Sequence, residues 1–177
     1  MADYYRRNND RTKAISYFIK SVNEKPTFVQ CYLQIALCYF EMEQYQQALT
    51  YLNQYLKINQ EDDFAYALRA KIYNFLGDNT SALSEITTAM AIENNEEYKF
   101  IECKILYDLK RYLQARDNLK NTKLETAEYY KYLGISEAAL GNDADAILNL
   151  EKSIILYDDD KIVNMKYNEL KLKVESK

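Results

Sequence analysis

The stretch Tyr32-Leu33-Gln34-Ile35-Ala36-Leu37-Cys38-Tyr39, followed by Ala48 and Leu52, decides the fold, because the chain repeats its outline. Thirty-four residues on, the same positions carry Tyr66, Arg69-Ala70, Tyr73, Ala82 and Ile86. A further copy has Phe100, Cys103-Lys104, Tyr107, Ala115 and Leu119, and another has Tyr130, Leu133-Gly134, Glu137, Ala146 and Leu150. With Ala14 ahead of them, the small residues Ala14, Ala48, Ala82, Ala115 and Ala146 fall 34, 34, 33 and 31 residues apart. A period near 34 is that of stacked helix–turn–helix units, each too small to bury its apolar face alone and therefore packed on its neighbours.

Each recurring position has a packing reason. Ala36, Ala70 and Gly134 on the first helix of a pair, and the register alanines on the second, allow a close crossing that a larger side chain would force apart. Tyr39, Tyr73 and Tyr107 fill the remaining space, and their hydroxyls must reach water or an acceptor. Composition agrees: three Gly and one Pro in 177 residues leave few tight turns or bulges for a sheet, and good helix formers abound. The fold class is all-α.

An aromatic, a small residue and a tyrosine on the first helix, then Ala and a large apolar residue four positions later on the second, resemble the tetratricopeptide-repeat family from Ala2 to about Asp158. The resemblance implies a right-handed superhelical solenoid of antiparallel helix pairs forming a single domain, 1–177. Its parts are a partial unit 1–27, units at about 29–62, 63–96, 97–126 and 127–158, and a C-terminal solvating, capping helix 161–176. Unit one starts in mid-helix, with Ala2 and Tyr5 as its matching residues, as in a chain that opens on a frayed unit or in a piece of a longer protein. The chain departs from the pattern at Lys104 and Arg69, whose stems are expected to lie along apolar surface with the charge in water. It departs again at Glu137, which stands where tyrosine is expected, and in a shortened fourth unit with an irregular stretch over 118–127. In the last helix Val163, Tyr167, Leu170 and Val174 form one stripe while Lys161, Lys166, Lys171 and Lys173 face elsewhere. A homodimer through the terminal helices is the second role of that region.

A net charge of −4 and a pI near 5.1 oppose nucleic-acid binding; the basic group Arg6, Arg7, Arg11 and Lys13 reads as a solvated helix end. No apolar run approaches the roughly 18–20 residues of a membrane span. There is no histidine, no CxxC, no glycine-rich phosphate loop and no GxSxG, so no catalytic, cofactor or metal site is expected. The acidic runs Glu61-Asp62-Asp63 and Asp158-Asp159-Asp160 read as solvated linkers. Cys31 and Cys38 lie seven residues apart on one helix, about 10.5 Å at 1.5 Å per residue, too far for a disulfide. With Cys103 they form an unpaired set that fits a reducing compartment, and a cytoplasmic location is the expectation.

In the family that the chain resembles, the inner wall is lined by the first helices between their packing positions. Here these are Leu33, Leu37 and Phe40; Phe64, Lys71 and Phe75; Tyr98, Ile101, Ile105 and Leu109; and Lys131 and Ile135. Adaptors of this family that grip an acidic C-terminal tail carry a ring of cations there, whereas Leu33, Leu37, Ala67, Ile101 and Ile105 leave Lys71 as the one cation at the matching places. The expected partner is therefore another protein that offers an apolar or amphipathic segment to the concave groove. The competing reading has these side chains covered by neighbouring repeats or by an N-terminal segment folded back into the groove. The expected function is a non-catalytic interaction scaffold or adaptor; the alternatives are a small secretion-type chaperone that masks hydrophobic client segments, or an accessory domain of a larger protein.

Overall fold

The computed structural model describes residues 1–8 and 10–176, without the side chains of Asp3, Tyr4 and Arg7, so the part of Arg7 in the basic group lies outside the described residues. Among the described residues there are eleven helices and no strand: α1 (Ala2–Arg7), α2 (Arg11–Glu24), α3 (Gln30–Glu41), α4 (Tyr45–Leu56), α5 (Asp63–Phe75), α6 (Asn79–Ile92), α7 (Glu96–Asp108), α8 (Tyr112–Lys120), α9 (Ala127–Ala139), α10 (Asp143–Leu156) and α11 (Lys161–Glu175). They gather into two compact units, Met1–Glu93 and Asn94–Lys177.

At six helix starts a polar side chain accepts from a backbone N–H group that lacks a partner in the first turn. In the first unit Asp10 accepts from the Lys13 amide at 3.2 Å, Asp62 from Ala65 at 2.9 Å and Asp78 from Ser81 at 3.1 Å. In the second, Asn95 accepts from Tyr98, Thr126 from Tyr129, and Asp160 from both Ile162 and Val163. Asp62 and Asp160 are thus helix caps within the acidic runs, a more specific role than solvated linker. Asp62 also accepts the buried Tyr55 hydroxyl at 2.5 Å, and Asn59 donates to that hydroxyl at 2.6 Å.

Short turns join α3 to α4, α5 to α6, α7 to α8 and α9 to α10, and these four pass through one residue each in the left-handed region: Glu43 (φ 57°), Gly77 (81°), Lys110 (60°) and Gly141 (82°). Glycine adopts this conformation without a Cβ clash; Glu43 and Lys110 do not have that freedom.

The register alanines Ala14, Ala48, Ala82, Ala115 and Ala146 are fully buried, as are Ala36 and Ala70. Gly134 meets the closest approach: a Cβ there would fall 2.8 Å from Leu150 Cγ and 3.1 Å from the Leu150 backbone nitrogen, so only glycine lets α9 and α10 cross at this distance. The first unit packs Ile15, Phe18, Ile35 and Cys38 in one cluster and Leu33, Leu52, Tyr55, Leu68 and Ile72 in another. The second packs Cys103, Leu119, Tyr129 and Leu133 together, and Leu150 with Val163 and Leu170.

The departures from the repeat are each accommodated. Lys104 lies over the Phe100 and Tyr132 rings and reaches Glu128 at 2.6 Å. Arg69 differs from expectation: its guanidinium is drawn largely out of water, donating to Glu85 at 2.9 and 2.7 Å and to Asn53 at 2.8 Å, because a partner carboxylate stands on α6. Glu137, 1% exposed, accepts from Lys120 and from Asn142, both at 2.6 Å, with Arg116 at 3.9 Å. In α11, Val163 and Leu170 are buried and Tyr167 half-buried, while Val174, in the last turn, is exposed, contrary to its place in the expected stripe.

Candidate functional site

In the first unit, Leu33, Leu37 and Phe40 share one face of α3 and Phe64, Lys71 and Phe75 one face of α5, by their helical spacing. Leu33 is buried and belongs to the core. Leu37, Phe40 and Lys71 are half-buried, whereas Phe64 and Phe75 are 47% and 61% exposed. The two helices are joined by their rings: Phe40 and Phe75 lie 5.9 Å apart between centroids. Tyr45, the first residue of α4, stacks on Phe75 at 5.2 Å with ring planes 2° apart and lies 5.9 Å from Phe40. Phe75 is therefore held on one ring face and wet on much of the rest. Tyr45 lies outside the inner-wall register because it opens a second helix, while that register counts positions on first helices; no signal in the sequence sets it against a residue thirty positions away.

The second unit treats the same register differently. Tyr98, Ile101 and Ile105 are buried and offer no surface to a partner, so these three positions are corrected from groove to core. The covering helices are a tertiary fact that period alone does not carry. Leu109 is half-buried, and Ile135 is half-buried against the cluster of Ala146, Leu150, Val163 and Leu170. Lys131 reaches Asp160 at 2.7 Å, so its charge is spent on the residue that caps α11.

Two clefts lie where residues of a first and a second helix meet. One, of about 440 Å³, is lined by Asn53, Leu56, Lys57, Gln60, Tyr66 and Arg69, and the Arg69 donors are committed to Glu85 and Asn53. The other, of about 310 Å³, is lined by Glu125, Tyr130, Lys152, Ile155 and Leu156. Burial pushes the Cys103 thiol up to about 12 and raises that of Cys38, which makes both poor nucleophiles near neutral pH. Among the described residues, no group of three or more Cys, Asp or Glu side chains is placed to hold a metal ion, and no helix is long and apolar enough to cross a membrane.

Residues 1–55 match the family described as anaphase-promoting complex, cyclosome, subunit 3. No curated protein matches the sequence. Among solved structures the chain is similar to MamA, at 15% identity and a TM-score of 0.80 over 89% of this chain and 95% of that one. It is similar to YrrB, described as a TPR protein with an unusual peptide-binding site, at 17% identity and 0.78 over 93% and 87%. It is also similar to a chain of the APC/C hetero-tetramer Cut9–Hcn1, at 18% identity and 0.76, covering 97% of this chain and 35% of that one. At such identities the likeness is one of fold.

Proposed function

With the tetratricopeptide-repeat fold as premise, we propose that the protein is a non-catalytic interaction scaffold whose first unit holds an apolar or amphipathic segment of a protein partner. The contact surface is the face of Leu37, Phe40, Phe64 and Phe75, with Tyr45 behind the rings and Lys71 beside them. One observation carries this reading: Phe75 is 61% exposed although it stacks on Tyr45 and meets Phe40. A ring fixed by its neighbours loses little freedom when a ligand covers it, and burying each exposed phenylalanine contributes about 1.5–3 kcal/mol before ordering costs. The peptide-binding site named for YrrB supports a role of this kind. A carboxylate clamp is disfavoured, because Lys71 is the one cation among these face residues.

The test is selection from a random-peptide library on the full chain, followed by binding of the selected peptides to a Phe64→Asp/Phe75→Asp variant whose circular dichroism is unchanged. Peptides with aromatic or leucine anchors should be selected, and the variant should lose at least tenfold in affinity. Peptides bound equally by both proteins would refute the assignment of this face.

A further inference from the structure

The last helix, α11, carries a second apolar stripe besides the one that packs on α10. Ile162, Met165, Glu169 and Leu172 are spaced three, four and three residues apart, the spacing with which one helix presents a seam to another. Ile162, Met165 and Leu172 are 64%, 73% and 68% exposed. Counted from their caps, Asp160 and Thr126, these four residues take the places that Glu128, Lys131, Ile135 and Ala138 hold in α9. α11 has Ile162 and Met165 where α9 has Glu128 and Lys131, so its exposed face is more apolar at those places than that of α9.

The charges on the stripe select an occupant. Lys166 donates to both carboxylate oxygens of Glu169 at 3.1 Å, and Lys173 is tied to Asp143 at 2.7 Å. Parallel pairing of two such helices would set Glu169 against Glu169 and Lys161 near Lys166, both repulsive. Antiparallel pairing about a two-fold axis near Tyr167 sets Ile162 opposite Leu172 of the second copy, twice. It also brings each Lys166 to the other copy's Glu169, so that four charges alternate in sign at the axis. The same two-fold sets each Met165 opposite the other copy's Glu169, so the apolar match is carried by the two Ile162–Leu172 pairs and the rest by charge, one patch serving both copies as an isologous interface requires.

We infer that α11 is a homodimerisation surface on which two copies of this chain pair antiparallel through Ile162, Met165 and Leu172. The seam is short, so association is weak and depends on concentration. Sedimentation equilibrium of the full chain over a wide concentration range should show a reversible monomer–dimer equilibrium. Leu172→Glu should weaken it at least tenfold, and Lys166→Glu should do the same by gathering four carboxylates at the axis. The charge swap Lys166→Glu/Glu169→Lys should restore association to near the native value. Glu169 and Leu172 are exposed and Lys166 is half-buried beside them, and circular dichroism should show unaltered helicity. A native chain that is monomeric throughout, a dimer indifferent to Leu172→Glu, or a swap that fails to rescue Lys166→Glu would each overturn the inference.

Discussion

At the scale of single residues, Glu137 shows how the chain substitutes chemistry for shape. Tyr39, Tyr73 and Tyr107 hold the equivalent place in the other repeats, yet Glu137 is buried there among Lys120, Asn142 and Arg116. Burial pushes its carboxyl pKa up. The hydrogen bonds from Lys120 and Asn142, with the charges of Lys120 and Arg116, outweigh that and hold it below the ordinary 4.5. A carboxylate depressed by folding stabilises the native state fully above its unfolded value, and that contribution disappears as pH falls through the folded value. Replacing Glu137 by Gln should therefore lower unfolding stability near pH 6 by about 1–3 kcal/mol. The gap between native and variant should close progressively below pH 4.5; urea unfolding of both across pH 3–7 checks it. The sequence disclosed this site only as a departure from the repeat. Its neutralising cations are on the preceding helix, and nothing in the spacing of Arg116 and Lys120 aims them at residue 137.

At the scale of elements, the second helices were the more legible half of each pair. Their alanines sit at crossings where volume is limiting, and the fully buried set Ala14, Ala48, Ala82, Ala115 and Ala146 follows from the period alone. First helices carry both core and surface, and their register gives a direction without the depth of what lies beside it. Leu33, Ile101 and Ile105 share that register with Phe64 and Phe75 and end up on opposite sides of the boundary between interior and water. The docking of α11 depends on an equally local feature. Asp160 accepts from the Ile162 and Val163 amides at 3.0 and 3.2 Å and from Lys131 at 2.7 Å, joining the start of α11 to α9. Asp160→Ala should cost about 1–2 kcal/mol, the usual loss for a cap. Its signature is faster amide hydrogen exchange in the first turns of α11, with α2 to α6 unchanged.

At the scale of the whole molecule, the repeat period announced an all-helical array but gave no sign of the division into Met1–Glu93 and Asn94–Lys177. Neither glycine nor proline marks the stretch Ile92-Glu93-Asn94-Asn95, and the hydrophobic register crosses it without a break. The helix-pair turns repeat on both sides of that division: Glu43 and Gly77 in one unit, Lys110 and Gly141 in the other, all left-handed. Glu43→Gly and Lys110→Gly should each raise stability by about 0.5–1 kcal/mol, the conformational cost of a side chain in this region less the added freedom of glycine when unfolded. Because the two turns belong to different compact units, the gains should add in the double variant, as measured by chemical denaturation. A chain that poses one structural problem at four of its described turns also records several answers to it. Gly77 and Gly141 are the corrections already written into the sequence for Glu43 and Lys110, so the molecule serves as its own alignment, and a search for improved sequences can begin inside it.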